Sequence, residues 1–157
     1  RGETFVTKKI IKALVRIKMG YQKQLILGNL DSKRDWGHAR DYVEAMWKIL
    51  QQKKPNDYVI ATGKQHSIRQ FINFVTKKLN MKIIWKGTGL NEVGYDVLNK
   101  KKIILVDKNY IRPLDVNTLL GNAAKARREL KWKPQINIQS LIDEMITEEM
   151  NILSNDQ

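Results

Sequence analysis

The sequence predicts an α/β fold, because segments with helical periodicity alternate with short apolar runs along the chain. In the helical segments, apolar residues return every three or four positions. The apolar runs between them are too short for helices and are typical of buried strands. A capping box, Ser67 followed by Gln70, marks one boundary between a strand and a helix. Such alternation favours a sheet in which some strands are parallel.

The first third of the chain contains two predicted helices separated by a strand. Residues 4–19 show helical spacing, and Gly20 follows in the position where a glycine commonly ends a helix. The run Leu25–Leu27 indicates a buried strand that ends in a turn. The loop 29–37 then leads into a second amphipathic helix, which stops before Pro55.

The remaining elements alternate in the same way. Tyr58–Ala61 is predicted to be a buried strand, and the capping box then begins a helix that reaches Leu79. The glycine-bearing stretch 87–94 is expected to be a loop. Four further elements are predicted: strands at 81–86 and 103–106, a helix capped by Asn122 that runs through Leu130, and a final helix at 138–152.

The composition indicates one globular domain and excludes several classes of protein. Residues 1–157 include 42% hydrophobic residues, enough for a single core. The absence of cysteine excludes disulfides and fits a cytoplasmic protein, and two histidines make a metal site unexpected. No apolar run approaches the roughly 18 residues of a membrane span, and no leader is recognisable. Because Arg1 is not a natural start, we expect residues upstream of it.

The net charge of +13 raises the alternative of a basic module that binds nucleic acid. Its distribution argues against that alternative. The net charge is +8 over residues 1–54 and +10 over 55–138, and it is negative over the remaining residues. The positive charge is therefore not concentrated on a single face or tail. We therefore interpret the charge as a property that affects solubility and steering, and no nucleic-acid partner is expected.

Arg34 is the strongest candidate for a ligand contact on chemical grounds. A guanidinium is charged at any physiological pH, and its fixed fork of donors suits a diphosphate. The alternative is an ordinary surface arginine paired with Asp31 or Asp35. Both readings remain open at this level.

Other charged residues have similar alternatives. Lys8 and Lys9 belong either to a ligand site or to a solvated helix face. Arg112 precedes Pro113, which favours an extended backbone, and Asp115 could accept hydrogen bonds from hydroxyls or cap a helix. His38 is a formal candidate for a general base, but a histidine without a visible partner is usually structural.

Two catalytic signatures are missing from the sequence. The stretch "GTGLNEVG" lacks the G-x-G-x-x-G spacing of a dinucleotide-binding loop, and no apolar helix follows it. No tyrosine is followed four residues later by lysine. That catalytic pairing is therefore absent from this chain.

Four stretches, in order along the chain, resemble the C-terminal part of the GDP-mannose 4,6-dehydratase family within the extended short-chain dehydrogenase/reductase superfamily. "RDW" alone would be a weak signal, since many nucleotide-sugar enzymes carry something similar, but the combination of the stretches is specific. The stretches are "RGETFVTKKI" at 1–10, "LGNLDSKRDWGHARDYVEAMW" at 27–47, "YVIATGKQHSIRQF" at 58–71 and "YIRPLDVNTLLGNAAKARRELKWKP" at 110–134.

The resemblance implies a lyase that converts GDP-D-mannose to GDP-4-dehydro-6-deoxy-D-mannose. In that reaction NADP takes a hydride from C4, water leaves across C5 and C6, and the hydride returns to C6. The implied fold is the C-terminal substrate-binding part of an NAD(P)-binding Rossmann-type protein. The N-terminal half, which binds NADP and carries the catalytic residues, is expected to be absent from 1–157.

The resemblance also assigns individual residues. It places Arg1 at NADP, Val6 and Lys9 in the guanosine pocket, Arg34 and Arg112 at the diphosphate, and Asp115 at a ribose hydroxyl.

Two neighbours of Arg34 receive supporting roles. We expect Asp35 to orient Arg34 at the entrance of the second helix, and Trp36 to anchor the loop to the core. The chain departs from the family pattern at Asp115, where glutamate is usual, and at Lys131, which replaces the glycine of "LGW".

The resemblance further implies GDP-mannose as the substrate and homodimers or homotetramers in the cytoplasm, without membrane contact. An alternative within the superfamily is another nucleotide-sugar dehydratase, epimerase or reductase.

Overall fold

The computed structural model describes residues 2, 5–111, 114 and 116–155. In these ranges three of the helices share a core with a mixed sheet, and two further strands form a short ribbon. The elements are α1 (Val6–Met19), β1 (Leu25–Leu27), β2 (Lys33–Arg34), α2 (Ala39–Leu50), β3 (His66–Ser67), α3 (Ile68–Lys78), β4 (Ile83–Lys86), β5 (Val93–Asp96), β6 (Lys101–Val106), α4 (Ala124–Glu129) and α5 (Ile138–Asn155).

The main sheet has the strand order β1-β6-β5-β4. β1 runs parallel to β6, with Leu25 opposite Ile104, while β5 is antiparallel to both β4 and β6. The predicted α/β class with some parallel strands is therefore confirmed. β2 and β3 form the separate antiparallel ribbon.

β5 begins inside the stretch that we expected to be a loop. Glycine and aspartate weaken a strand pattern, and β5 contains both Gly94 and Asp96. The structure explains the glycine: a Cβ at Gly94 would lie 2.8 Å from Cδ1 of Ile104 on the neighbouring strand. Close approach between strands, rather than a turn, is what this glycine permits.

The principal core lies between the sheet and the helices α1, α3 and α5. Its largest buried side chains include Leu14, Phe71, Ile104 and Ile142. Trp36 packs against this core, with its ring centroid 5.0 Å from that of Phe71. The prediction that Trp36 anchors its loop is therefore confirmed.

The helix boundaries follow the capping signals of the sequence. Gly20 adopts a φ of 87° after α1, and its N–H donates to the carbonyl of Ile17. Ser67 and Gln70 form the complete capping box at the start of α3. Asn122 accepts a hydrogen bond from the Ala124 N–H at the start of α4. None of the helices in the described ranges is long and apolar enough to cross a bilayer.

The predicted strand at 58–61 is wrong. Tyr58 and Ile60 pack against a small second cluster formed by α2, α4 and Trp132, whereas Val59 is 55% exposed. The side chains therefore alternate as in a strand, but the backbone of residues 58–61 makes no hydrogen bond to any described residue. A strand requires a neighbouring strand, and none lies beside this segment in the described structure.

Lys131 has a left-handed backbone conformation, with a φ of 52°. This conformation costs a residue with a side chain roughly 1–2 kcal/mol, and it explains why the family pattern has glycine here. Glycine also raises the conformational entropy of the unfolded chain, which offsets part of the stability gained by removing this strain.

We predict that Lys131→Gly increases the free energy of unfolding by about 0.5–1 kcal/mol, because it removes the backbone strain. Urea denaturation followed by circular dichroism measures the change. Asn80→Gly is a matched control, because Asn80 has a φ of 53° but asparagine tolerates this region. A gain at Asn80 equal to that at Lys131 would contradict the strain argument.

Gly28, just after β1, touches the backbone near the end of β6. A Cβ at Gly28 would lie 2.1 Å from the carbonyl oxygen of Tyr110. A side chain here would therefore displace the segment around Tyr110.

We expect Gly28→Ala to lower the free energy of unfolding by about 1–3 kcal/mol, the usual cost of overpacking. The same denaturation experiment tests this expectation. Gly2→Ala serves as the control, since a Cβ there meets nothing within 4 Å. Equal stability of the two variants would show that the Tyr110 segment yields without cost.

Candidate functional site

A cleft of about 960 Å³ opens between α1, β1 and the segment that follows β1. Its walls combine apolar side chains, such as Leu25 and Leu27, with cationic and amide groups. The cleft runs along the whole of β1, from Gln22 and Gln24 before the strand to Gly28 and Asn29 after it. Its size suits a small organic ligand.

Three residues that the resemblance assigned to the substrate line this cleft together. Val6 and Lys9 come from α1, and Arg34 comes from β2. The fold thus brings together residues that are well separated in the sequence. Arg1, Arg112 and Asp115, the other assigned residues, lie outside the described part of the chain.

Lys9 contributes a partly desolvated cation. Its Nζ lies 3.8 Å from the centroid of the Tyr110 ring, close enough for a cation–π interaction. Burial lowers the pKa of Lys9 below its ordinary value. Lys9 is therefore not part of a solvated helix face.

Lys8 has a different role from its neighbour. Its Nζ donates to Oε2 of Glu149 at 2.8 Å, and the Glu149 carboxylate is buried between α1 and α5. Nε of Arg16 lies 3.9 Å from the other carboxylate oxygen of Glu149. A buried carboxylate requires such cations, so Lys8 stabilises the fold.

Arg34 is held by backbone carbonyls. Its Nη1 donates to the carbonyl of Lys33 at 2.8 Å and to that of Val116 at 2.6 Å. The short ladder between β2 and β3, which pairs Arg34 with His66, fixes the backbone beneath it. These contacts orient the guanidinium at the cleft.

The prediction that Asp35 orients Arg34 is wrong. The Asp35 carboxylate accepts hydrogen bonds from the N–H groups of Thr62 at 3.0 Å and Gly63 at 2.8 Å. It therefore ties the end of the 29–37 loop to the loop at 62–64. A prediction based on side-chain charges does not take such backbone donors into account.

His38 has a structural role at the start of α2. The start of this helix also shows that Arg34 does not lie where we expected it. His38 is the N-cap of α2: its Nδ1 accepts from the Arg40 N–H at 3.1 Å. Its Nε2 lies 3.2 Å from a carboxylate oxygen of Glu144. Because α2 begins at Ala39, Arg34 lies in a strand before the helix and not at its entrance.

Sequence reasoning missed several polar residues of the cleft. Their shared signal is position, since most lie just before β1 or in the turn directly after it. They are Lys12, Gln22, Gln24, Asn29, Ser32 and Tyr110.

The lining of the cleft combines cationic, amide and apolar groups. Among the described residues that line the cleft, cations and amides occur but no carboxylate or imidazole. Across the described ranges, no group of three histidine, aspartate or glutamate side chains is arranged to hold a metal. The cleft is suited to a ligand that is anionic and partly apolar.

The chain matches the family model described as GDP-mannose 4,6 dehydratase over residues 1–145. It is 46% identical over 156 residues to GDP-mannose 4,6 dehydratase 2 of Caenorhabditis elegans, covering 99% of this chain and 41% of that protein. It is 43% identical to the human GDP-mannose 4,6 dehydratase, covering 98% of this chain and 41% of that protein. The chain therefore spans about two fifths of the length of these relatives.

Solved structures share the fold at low sequence identity. RMD from Pseudomonas aeruginosa, complexed with NADPH, superimposes with a TM-score of 0.76 at 19% identity, covering 97% of this chain and 44% of that chain. The dTDP-glucose 4,6-dehydratase from Bacillus anthracis, in complex with NAD, has a TM-score of 0.66 at 14% identity, covering 94% and 39%. These likenesses confirm the predicted α/β fold, because the chain has the fold of the matched portion of both structures. The family match and the relatives together establish that this chain belongs to the GDP-mannose 4,6 dehydratase family.

Proposed function

We propose that residues 1–157 form the C-terminal nucleotide-sugar-binding domain of an enzyme that converts GDP-D-mannose to GDP-4-dehydro-6-deoxy-D-mannose. The observation that carries this proposal is the meeting of Val6, Lys9 and Arg34 in one cleft of about 960 Å³. The family relationship supplies the choice of substrate.

In this proposal each part of the cleft contacts a different part of the ligand. Val6 and Lys9 line the pocket for guanosine, and the cation of Lys9 is held by the Tyr110 ring. Arg34 binds the diphosphate through charge-assisted hydrogen bonds. The carbonyl bonds to Lys33 and Val116 restrict the rotamers of Arg34 before the ligand arrives.

Arg112 and Asp115 complete the proposed site. The described residues on either side of them both contact the cleft: Tyr110 through Lys9, and Val116 through Arg34. A segment with both ends at the cleft supports a diphosphate contact for Arg112 and a ribose contact for Asp115. Aspartate is one methylene shorter than the glutamate usual in the family, so we propose a longer or water-mediated ribose contact.

The parent enzyme would be an NADP-dependent lyase. NADP supplies the acceptance and return of a hydride, and it would be bound mainly by the portion of the family fold outside this chain, with Arg1 as this chain's contact. The described cleft residues bind and orient the nucleotide sugar. Because this chain lacks the Tyr-x-x-x-Lys pair, we expect it to be inactive by itself.

An apolar surface on α2 supports the proposal that a further domain packs here. Val43, Met46, Trp47 and Leu50 repeat at helical intervals on one face, with Trp47 61% and Leu50 80% exposed. The neighbouring segment 58–61 adds exposed Val59 and backbone groups that make no hydrogen bond to any described residue. Exposed apolar patches of this kind mark interaction sites.

We assign this surface to the N-terminal, cofactor-binding portion of the same enzyme. The relatives contain about three fifths of their length beyond the part matched here. A sheet in that portion could pair its edge strand with residues 58–61, while α2 covers one face of the sheet.

We further propose that the enzyme is cytoplasmic and forms homodimers or homotetramers. The absence of cysteine supports a reducing compartment. The oligomeric state rests on the family relationship alone.

Another reaction of the superfamily is the second candidate function. A UDP-glucose 4-epimerase from Thermotoga maritima, solved with UDP-glucose, also shares the fold, with a TM-score of 0.70 at 17% identity over 97% of this chain and 41% of that chain. Preference for the nucleotide distinguishes the candidates, because the base pocket must discriminate guanine from uracil.

We predict that Arg34→Ala weakens GDP binding by about 1.5–3 kcal/mol, the value of a lost charge-assisted hydrogen bond. Isothermal titration of the 157-residue chain with GDP measures the change. Arg40→Ala is the matched control, since Arg40 pairs with Glu144 outside the cleft. Equal loss in both variants would show that net charge, and not the cleft, determines affinity.

The same titration separates the candidate functions. GDP and GDP-mannose should bind more tightly than UDP, with only a modest dependence on salt. Tighter binding of UDP would favour another nucleotide-sugar enzyme. Steeply salt-dependent binding of oligonucleotides, without preference for GDP, would favour a nucleic-acid-binding module.

We predict that Trp47→Glu prevents association with the complementary N-terminal portion of the Caenorhabditis elegans relative, produced separately. The thermal stability of the chain itself should change little, because Trp47 is largely exposed. Analytical ultracentrifugation and dehydratase activity of the mixture measure association. Leu98→Glu, at an exposed leucine on the turn between β5 and β6, should associate like the original chain.

A further inference from the structure

The segment that follows β1 carries several cleft residues, and contacts with other elements hold it in place. Asn29 and Ser32 line the cleft on this segment, and Arg34 follows in β2. Its backbone is bound on one side by the start of α3: the N–H groups of Ile68 and Arg69 donate to the carbonyls of Ser32 at 3.2 Å and Leu30 at 2.9 Å. These donors are first-turn N–H groups, which have no partner within their own helix.

The side chain of Arg69 adds a second restraint to the same segment. Its Nη2 and Nε donate to Oδ1 of Asp31 at 3.0 and 3.2 Å. Asp31 in turn donates its N–H to Oδ1 of Asn29 at 2.9 Å. The guanidinium therefore grips the turn next to the residues that line the cleft.

The other side of the same guanidinium is fixed to the sheet. Nη2 of Arg69 donates to Oε2 of Glu92 at 2.9 Å, and Nη1 donates to the second oxygen of that carboxylate. Cζ of Arg69 lies 4.7 Å from the centroid of the Trp85 ring. The hydrogen bond to Glu92 raises the pKa of Arg69, so the group stays charged.

We propose that Arg69 is a positioning residue for the anion site: it holds the segment 29–34 against the edge of the sheet, and through it Ser32 and Arg34. Arg69 is not among the described residues that line the cleft, so it acts on the ligand through this segment. Glu92 immediately precedes β5. The Arg69 side chain therefore connects the segment at the cleft to β5, the strand that begins within the stretch 87–94 predicted to be a loop. The inference rests on the proposed function only in taking GDP as the ligand.

Loss of Arg69 has two physical consequences for the segment. The fork that joins Asp31 to Glu92 disappears, and lysine cannot replace it because an ammonium is a single point charge. Two carboxylates that shared one guanidinium are also left facing each other, and their repulsion pushes the turn away from β5.

The test compares Arg69→Gln, Arg69→Lys and Asp31→Asn in the 157-residue chain. Calorimetry measures the Kd for GDP, and hydrogen exchange followed by mass spectrometry measures local opening. We expect Arg69→Gln to raise the Kd about fivefold to thirtyfold and to speed exchange in 29–34 but not in α2. Arg69→Lys should recover part of the affinity.

Asp31→Asn keeps the test decisive if Arg69→Gln fails to fold, since the Asp31 side chain is 75% exposed. This variant should also loosen 29–34, but in the Arg69→Gln background it should recover part of the loss, because it removes one of the two facing carboxylate charges. Lys78→Gln is the control, because it breaks an ion pair with Asp143 on the same helix α3, away from the segment 29–34. It should alter neither affinity nor exchange.

A purely structural role for Arg69 would overturn the proposal. In that case the melting temperature would fall in Arg69→Gln, while the Kd and the exchange of 29–34 stayed at their original values. If the original chain does not bind GDP, the proposed function fails, and the exchange experiment alone decides whether Arg69 holds the segment.

Discussion

The parallel pairing of β1 with β6 is the constraint on which the cleft depends. It joins Leu25–Leu27 to Ile104–Val106, segments separated by about half of the chain. Parallel strands end at the same edge, so the turn at Gly28 meets the backbone of Tyr110 there. That meeting brings the Tyr110 ring to Lys9 and encloses the cleft on one side. The ligand site is thus a result of strand register before it is a result of side-chain chemistry.

The helices could be predicted from the sequence because their signals are local. A left-handed glycine ends α1, and a capping box begins α3, each within one helical turn of the boundary that it marks. Strand formation depends on a distant partner, which a local pattern does not reveal. β5 was concealed by Gly94, whose role is to let Ile104 approach, and residues 58–61 have a strand-like pattern without a partner in the described structure.

The candidate site was predictable in part for a similar reason. Arg34 could be identified by the chemistry of its side chain, and the resemblance placed Val6 and Lys9 beside it. The contacts that orient Arg34 are backbone carbonyls of Lys33 and Val116, and the partners of Asp35 are backbone amides. Nearly every residue has a backbone carbonyl and a backbone amide, so the sequence does not indicate which of them bind Arg34 and Asp35. The polar residues near β1 are likewise defined by where the strand ends.

Adjacent lysines on α1 face in different directions, and this arrangement sets the rotation of the helix. Lys8 is bound to the buried carboxylate of Glu149 on the last helix, while Lys9 reaches the Tyr110 ring at the cleft. A rotation of α1 by one residue would move the Lys8 ammonium away from the Glu149 carboxylate, which is buried and has little access to water. The ion pair between Lys8 and Glu149 therefore fixes the rotation of α1 about its axis, and with it the wall of the cleft that α1 forms. Substitutions at Glu149, which is not among the described residues that line the cleft, would alter that setting and so the position of Lys9 in the cleft.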